Sequence, residues 1–154
     1  MTHLLDKKFL VVAGKGGTGR TTLSFALGYA CARRGRRTLV CLCNAQATFH
    51  HFSAMQRQGE RASMESLPFT AINLDPRACQ EEYGALVLRN QMVHRMVFGS
   101  KKVRGFLDAV PGLAEWAMLG KATFHALRPK TDPNFYDTVI FDSPATGHGL
   151  DMLS

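Results

Sequence analysis

Gly14-Lys15-Gly16-Gly17-Thr18-Gly19-Arg20-Thr21-Thr22 is the stretch of this 154-residue chain that decides its fold. It follows the short apolar run Phe9-Leu10-Val11-Val12-Ala13, which is typical of a strand buried on both faces of a parallel sheet. After it, apolar residues recur at the spacing of one face of a helix that Gly35 can end: Leu23, Ala26, Leu27, Ala30 and Cys31. Four glycines between a buried strand and a helix predict a tight functional loop rather than an ordinary surface turn.

This glycine loop has the chemistry of a polyphosphate cradle. Its backbone N–H groups can point inward at an anion, and the helix that follows adds the positive end of its dipole. The hydroxyl of Thr21 is placed to ligate a magnesium ion, and Thr22 to reach the next phosphate inward. The predicted phosphate-binding residues are Gly14, Lys15, Gly16, Gly17, Thr18, Gly19, Arg20, Thr21 and Thr22.

Strands and helices alternate along the rest of the chain. Residues 9–42 form one βαβ unit, and residues 44–66 are polar and irregular. The patterns predict further strands at 38–42, 69–74 and 138–141. They predict three helical regions: residues 78–98, a second region that Pro111-Gly112 ends, and residues 113–127. This alternation predicts an α/β fold with a mostly parallel sheet flanked by helices.

Asp142 closes the last predicted strand and is followed by Ser143-Pro144-Ala145-Thr146-Gly147-His148. A carboxylate at such a strand end can hold magnesium through a water molecule, while the loop after it responds to the terminal phosphate. Thr21 and Asp142 are therefore the predicted metal-binding pair. For His148 a role in switching and a plain polar loop position are both open.

The chain resembles the anion-transporting (arsenical-pump type) ATPases, a family of P-loop nucleotide-binding proteins. The glycine loop looks like the deviant Walker A motif K-G-G-x-G-K-T-T, and residues 141–150 resemble the family's switch segment D-T-A-P-T-G-H-T-L. The stretches 73–77 and 81–83 are similar to its N-I-D-P and E-E-Y segments. The T-G-H string favours the arsenical-pump and tail-anchored-protein-targeting branch over plasmid-partition or cell-division relatives.

The resemblance implies that residues 1–154 are the N-terminal part of one P-loop nucleotide-binding domain, incomplete on its C-terminal side. It implies ATP and Mg²⁺ as cofactors, ATP hydrolysis coupled to a switch, and a homodimer of the full-length protein. By the same resemblance Lys15 acts in trans on the partner's nucleotide, and the predicted catalytic residues are Lys15, Asn44 and Asp142. A client or membrane partner is implied but not identified, and the determinants of base specificity are expected beyond residue 154.

Two residues depart from the family pattern. Arg20 stands where the motif has the lysine that contacts the β- and γ-phosphates; arginine keeps the charge, but its planar fork is longer and differently shaped. Asn44 stands near the position of a family aspartate, and it can hydrogen-bond a water molecule but cannot accept its proton. Loss of such a base costs on the order of 10²–10⁴ in rate, so a non-catalytic nucleotide sensor is an alternative to an ATPase.

The net charge of +7 raises the question of an anionic partner. Basic residues cluster around Gly35 and again at 101–104, and such clusters attract phosphates, nucleic acid or acidic lipid. A partition-type ATPase that binds DNA is therefore a second alternative. We favour a solvated surface and do not expect nucleic acid, because no aromatic residues interleave with these charges as a stacking platform requires.

Neither a membrane span nor a signal peptide is predicted, since no apolar run approaches the ~20 residues that a transmembrane helix needs. We expect a cytoplasmic protein. Cys41 and Cys43 are spaced to face one side of a strand, where small buried hydrophobes are favoured over a metal or redox pair. In the family's strand order the loop strand is central with 138–141 on one side, so residues 9–13 are expected to form an exposed sheet edge here.

Overall fold

The computed structural model describes residues 3–43, 67–87 and 99–144. A 3₁₀ turn at Leu4–Asp6 precedes the first strand. The strands are β1 (Phe9–Val12), β2 (Thr38–Cys43), β3 (Thr70–Leu74) and β4 (Thr138–Asp142), and the helices are α1 (Arg20–Arg33), α2 (Pro76–Val87), α3 (Lys101–Ala109) and α4 (Leu113–Leu127). A parallel sheet packed against helices confirms the predicted α/β class. The polar segment 44–66 and residues 88–98 of the predicted helix lie outside the described residues.

Within the described residues the sheet has four strands in the order β1-β4-β2-β3, and every pair of neighbours is parallel. Strand β4 lies between β1 and β2, with Asp142 in register with Val12 on one side and Leu42 on the other. Because all the strands run the same way, their carboxyl ends meet at one edge of the sheet. This edge is where open α/β sheets bind their ligands.

Apolar side chains cover both faces of the sheet. One face packs against α1 through Leu10, Val12, Val40, Leu42 and Ile140. The other packs against α4 through a second cluster that includes Leu39, Cys41, Val139, Phe141 and, from the helix, Met118 and Ala122. Burial on two sides explains why these strands are continuous apolar runs rather than alternating patterns.

Strand β1 is an edge of the sheet, because among the described strands it pairs only with β4. The side chain of Val11 is 53% exposed, whereas its neighbours Leu10 and Val12 are buried against α1. The expectation of an exposed edge with uncovered apolar surface at residues 9–13 is confirmed.

The apolar face predicted for α1 is right at Cys31, which is buried, and at Leu27, which packs against the core, but wrong at Leu23 and Ala26. Leu23 is 52% exposed and Ala26 is also exposed, while the fully or nearly fully buried positions of the helix are Ser24, Gly28 and Cys31. The reason is close packing on the sheet: a Cβ on Gly28 would lie 2.8 Å from Val40 Cγ2. Only small side chains fit such a contact, so periodicity of large apolar residues does not mark the inward side.

Helix α2 begins two residues before the predicted position 78. The side chain of Asp75 accepts a hydrogen bond from the backbone N–H of Ala78 at 2.8 Å, and Pro76 occupies the first helical position, which tolerates its missing N–H. Helix α4 has the predicted bounds and starts after Gly112, whose φ is 78°. No helix in the described ranges has the length and apolarity that crossing a membrane requires.

The cysteines follow the prediction of small buried hydrophobes. Cys41 is fully buried in the cluster beside α4, and Cys43 packs against the same cluster, so both face one side of β2. All four cysteines are free thiols. Burial raises the pKa of both thiols far above the usual range. Within the described ranges no group of three His, Cys, Asp or Glu side chains is arranged to hold a metal ion.

Candidate functional site

The glycine loop connects the end of β1 to the start of α1 and reverses the chain over the carboxyl edge of the sheet. Gly17 and Gly19 have φ values of 76° and 79°, in the left-handed region that residues with a Cβ rarely adopt. Gly19 is the N-cap of α1 and provides no side-chain hydrogen bond to the first turn. The first N–H groups of α1 have no acceptor within the helix itself, so this end of the helix is suited to an anion.

Contacts within the loop give it a fixed shape. The Thr18 hydroxyl donates to the carbonyl oxygen of Lys15 at 2.8 Å. A Cβ on Gly14 would lie 3.2 Å from the Thr18 hydroxyl and 3.3 Å from Arg20 Cδ, so the absence of a side chain lets both residues pack over the loop. The positions from Lys15 to Gly19 are exposed, and the backbone amides there are therefore open to a ligand from solvent.

The structure brings together Thr21 and Asp142, which are separated by more than a hundred residues in the chain. The Thr21 hydroxyl, in the first turn of α1, donates to Asp142 Oδ2 at 2.7 Å. The contact follows from the topology, since β1 leads into α1 and β4 is the strand next to β1. The predicted metal-binding pair therefore shares one place at the carboxyl edge of the sheet.

Asp142 is a buried carboxylate with opposing influences on its proton affinity. Burial raises the pKa of this group, and the Thr21 hydrogen bond, the charge of Arg20 and the Ser24 hydroxyl each oppose that rise. Asp142 is only 6% exposed to solvent. The Oδ1 atom is also buried, and it has no hydrogen-bond partner in the described part of the chain.

A hydroxyl and a buried carboxylate with a spare oxygen suit Mg²⁺, which prefers hard oxygen ligands. Asp142 Oδ1 is a buried acceptor without a hydrogen-bond partner in the described ranges, whereas buried polar atoms in proteins normally have one. The residues present thus fit the cation that the sequence predicts. Thr21 and Asp142 would hold it beside the loop.

Arg20 links the glycine loop to the segment that follows Asp142. Its guanidinium donates through NH1 to the backbone carbonyl of Ser143, and the Ser143 N–H donates to the carbonyl of Val12 at 3.0 Å. Half-buried beside Asp142, this side chain brings a positive charge to the carboxylate. Sequence reasoning placed Arg20 on the phosphates, and the structure adds a contact with the start of the switch segment.

The remaining predicted site residues are either exposed or outside the described ranges. Lys15 and Thr22 are exposed at the loop and in the first turn of α1. Asn44 and the string Thr146-Gly147-His148 lie outside the described residues. The roles assigned to these residues, and to the loop as a phosphate cradle, stay predictions.

Sequence reasoning missed Ser24, which is fully buried on α1 one turn after Thr21. Its hydroxyl acts on the Asp142 carboxyl. The spacing of three residues from Thr21 was a usable signal, because residues three apart share a helix face. It was overlooked because Leu23 and Ala26 were taken to mark the inward side.

The arginines around Gly35 lie at the opposite edge of the sheet, before the start of β2. Arg36 donates to the Thr138 hydroxyl at 2.7 Å and to the Asp137 carbonyl at 2.8 Å. Arg37 donates to the Pro133 carbonyl at 2.9 Å. These two side chains join the beginnings of neighbouring strands, which supports a structural role and gives no support to the DNA-binding alternative.

Comparison with known proteins extends the similarity to the whole chain. A model of the anion-transporting ATPase family matches residues 7–154. The chain is 29% identical over 153 residues to ATPase ASNA1 homolog 1 of Paramecium tetraurelia, covering 96% of this chain and 43% of that protein. It is 28% identical to ATPase GET3 of Komagataella phaffii, with 95% and 44% covered, and 28% identical to ATPase ARSA2 of Chlamydomonas reinhardtii, with 97% and 38% covered. The chain spans about two fifths of the length of these relatives.

Proposed function

Because the chain belongs to the anion-transporting ATPase family, we propose that it binds Mg-ATP at the glycine loop and hydrolyses it as part of a molecular switch. The observation that carries this proposal is the 2.7 Å hydrogen bond between Thr21 and Asp142. It joins the first turn after the loop to the carboxylate at the end of β4, which are the two halves of the predicted site. Residues 1–154 are then the N-terminal part of one nucleotide-binding domain.

In this site each group has a defined task. The backbone N–H groups from Gly16 to Arg20 cradle the phosphates, aided by the positive end of α1. Arg20 and Lys15 balance the negative charge of the phosphates, and phosphoryl transfer depends largely on such positioning and charge. Thr21 and Asp142 hold magnesium, which when bound neutralises phosphate oxygens and fixes their orientation.

Lys15 is the residue that connects hydrolysis to dimerisation in this proposal. Its position in the loop is exposed, as a side chain that reaches a second subunit must be. We infer a homodimer of the full-length protein in which Lys15 contacts the partner's nucleotide, as the deviant Walker A resemblance implies. ATPase activity per subunit should then rise with protein concentration through the dimerisation range and then level off.

A nucleotide sensor without hydrolysis is the second candidate. The observation that favours it is the bond between the Arg20 guanidinium and the Ser143 carbonyl, because the NH1 donor used there is not available to a transferring phosphate. The replacement of the family aspartate by Asn44 points the same way. Tight ATP binding with background phosphate release from the full-length protein would favour the sensor.

The binding test uses a fluorescent ATP analogue with the 154-residue chain and with the full-length protein, in Mg²⁺ and in EDTA. We expect binding that Mg²⁺ strengthens, and we expect Thr21→Val to remove most of that strengthening. Thr131→Val is the matched control, because Thr131 is exposed in the loop before β4. Equal Mg²⁺ dependence in both variants, or no nucleotide binding by the full-length protein, would overturn the proposal. The cytoplasmic location and the client stay predictions from the sequence.

A further inference from the structure

Ser24 places a hydroxyl group inside an apolar layer of the fold, where packing alone does not require one. It is 0% exposed in the layer between α1 and the sheet, surrounded by apolar packing on that side. Burying a hydroxyl without a hydrogen bond costs on the order of 1–3 kcal/mol. Alanine would fill almost the same space on a helix without that penalty.

The hydroxyl lies beside one specific acceptor. Thr21 and Ser24 are on the same face of α1, and Thr21 already binds Asp142 through Oδ2. The other oxygen, Oδ1, is buried, and neither Oδ1 nor Ser24 Oγ has a hydrogen-bond partner in the described ranges. The Ser24 hydroxyl is near enough to the Asp142 carboxyl to oppose the rise in its pKa that burial causes. A serine hydroxyl can donate and a carboxylate oxygen can accept, so these two buried atoms have complementary hydrogen-bonding needs.

We propose that Ser24 is a positioning residue of the metal site, donating its hydroxyl to Asp142 Oδ1. Helix α1 then holds the carboxylate through both oxygens, one turn apart, and fixes its plane relative to Thr21. This inference rests on the proposed function, because the purpose of the fixed carboxylate is to hold Mg²⁺ with bound ATP. Hydrogen bonds of this kind orient metal-binding groups, and their loss lowers metal affinity about 10–100-fold.

The space around Ser24 restricts what can replace it. The next turn of α1 at Gly28 touches Val40 and Phe69 so closely that a Cβ there would clash, and a Ser24→Thr change would add a methyl to the same tight layer. Ser24→Ala removes only the donor, and Ser24→Cys keeps a weak donor of similar shape. This pair separates the loss of the hydrogen bond from the loss of packing.

The first experiment measures thermal stability without nucleotide or metal, for Ser24→Ala, Asp142→Ala and the double variant. If the hydroxyl and the carboxylate interact, the shifts in melting temperature are not additive. Additive shifts would overturn the inference. This result does not depend on ATP binding, so it stands even if the proposed function fails.

The second experiment titrates Mg²⁺ into the full-length protein with a fluorescent ATP analogue. For Ser24→Ala we expect the half-saturating Mg²⁺ concentration to rise about tenfold, while analogue affinity in EDTA stays unchanged and Ser24→Cys recovers part of the loss. Ser100→Ala, at the N-cap of α3 where it makes no side-chain capping bond, is the control. A purely structural hydroxyl would give a different result: Ser24→Ala would raise the melting temperature and leave the Mg²⁺ titration unmoved, which would overturn the positioning role.

Discussion

The Arg20 guanidinium interacts with two groups, the Ser143 carbonyl and the Asp142 carboxylate. It donates to the Ser143 carbonyl and it lowers the pKa of Asp142 by its charge. A phosphate in the loop draws on the same donors, and the five N–H groups of arginine allow it to serve phosphate and carbonyl together, whereas lysine offers a single point charge. In the proposed site, arginine at this position would therefore link phosphate binding to Ser143, at the start of the predicted switch segment.

The first prediction concerns the charge of Arg20. Arg20→Gln should weaken ATP binding about 10–100-fold, the loss expected for a charge-assisted hydrogen bond worth about 1.5–3 kcal/mol. Arg20→Lys should weaken binding less than Arg20→Gln, because the charge remains although the planar fork of donors is lost. Equilibrium titration with a fluorescent ATP analogue measures both. Arg33→Gln, exposed at the far end of α1, is the control, and an Arg20→Gln protein that binds like this control would contradict the prediction.

The second prediction concerns the buried charge of Asp142. Because burial raises the pKa of this carboxyl in the folded chain above its ordinary value of 3.8, the ionised carboxylate destabilises the fold. That loss accumulates as pH rises from the unfolded pKa through the folded pKa, and it persists at neutral pH. In EDTA, Asp142→Asn should therefore melt at a higher temperature than the wild type at pH 7, and the difference should shrink below pH 4. Thermal melts across this range decide it. A less stable Asp142→Asn protein at pH 7 would show that Thr21 and Arg20 outweigh burial.

Elements differ in how far the sequence determines them. The strands were predictable within one or two residues, because continuous apolar runs of this length have few other uses in an α/β chain. The meeting of Thr21 with Asp142 was predictable too, since parallel strands present their carboxyl ends at one edge. The inward face of α1 was not, because periodicity reports large apolar side chains and this contact requires small ones. Ser24 was missed for the same reason.

The third prediction tests the close contact between α1 and the sheet by substituting two glycines, Gly28 and Gly120. Gly28→Ala places a methyl 2.8 Å from Val40 Cγ2 and 3.3 Å from the Phe69 ring, and such overpacking costs about 1–3 kcal/mol. Gly120→Ala in α4 meets no atom within 4 Å, so it should stabilise the chain by about 0.5–1 kcal/mol through helix propensity. Urea unfolding of the two variants should give midpoint shifts of opposite sign. Shifts of the same sign would mean that α1 does not pack this closely.

At the scale of the whole molecule, two packed layers and one open edge define the chain. The layer beside α4 is closed by residues from β2, β4, α2 and α4, and three thiols lie in or against it: Cys41, Cys43 and Cys79. Strand β1 at the other side of the sheet leaves Val11 uncovered. The thiols therefore report on the integrity of the layer that holds β4, and with it Asp142, in place.

The fourth prediction follows from those thiols. Burial raises the pKa of Cys79 from 9.0 to about 11 and raises the pKa of Cys41 and Cys43 further. Between pH 9 and pH 11 the unfolded chain has therefore lost protons that the folded chain retains, so the free energy of unfolding falls as pH rises. The slope is about 1.4 kcal/mol per pH unit for each such thiol. Urea midpoints at pH 8, 9 and 10 should decline accordingly, and Cys79→Ala should reduce the slope by about one thiol's share. Lysine and tyrosine titration is common to both proteins, so an unchanged slope in Cys79→Ala would place Cys79 outside the packed layer.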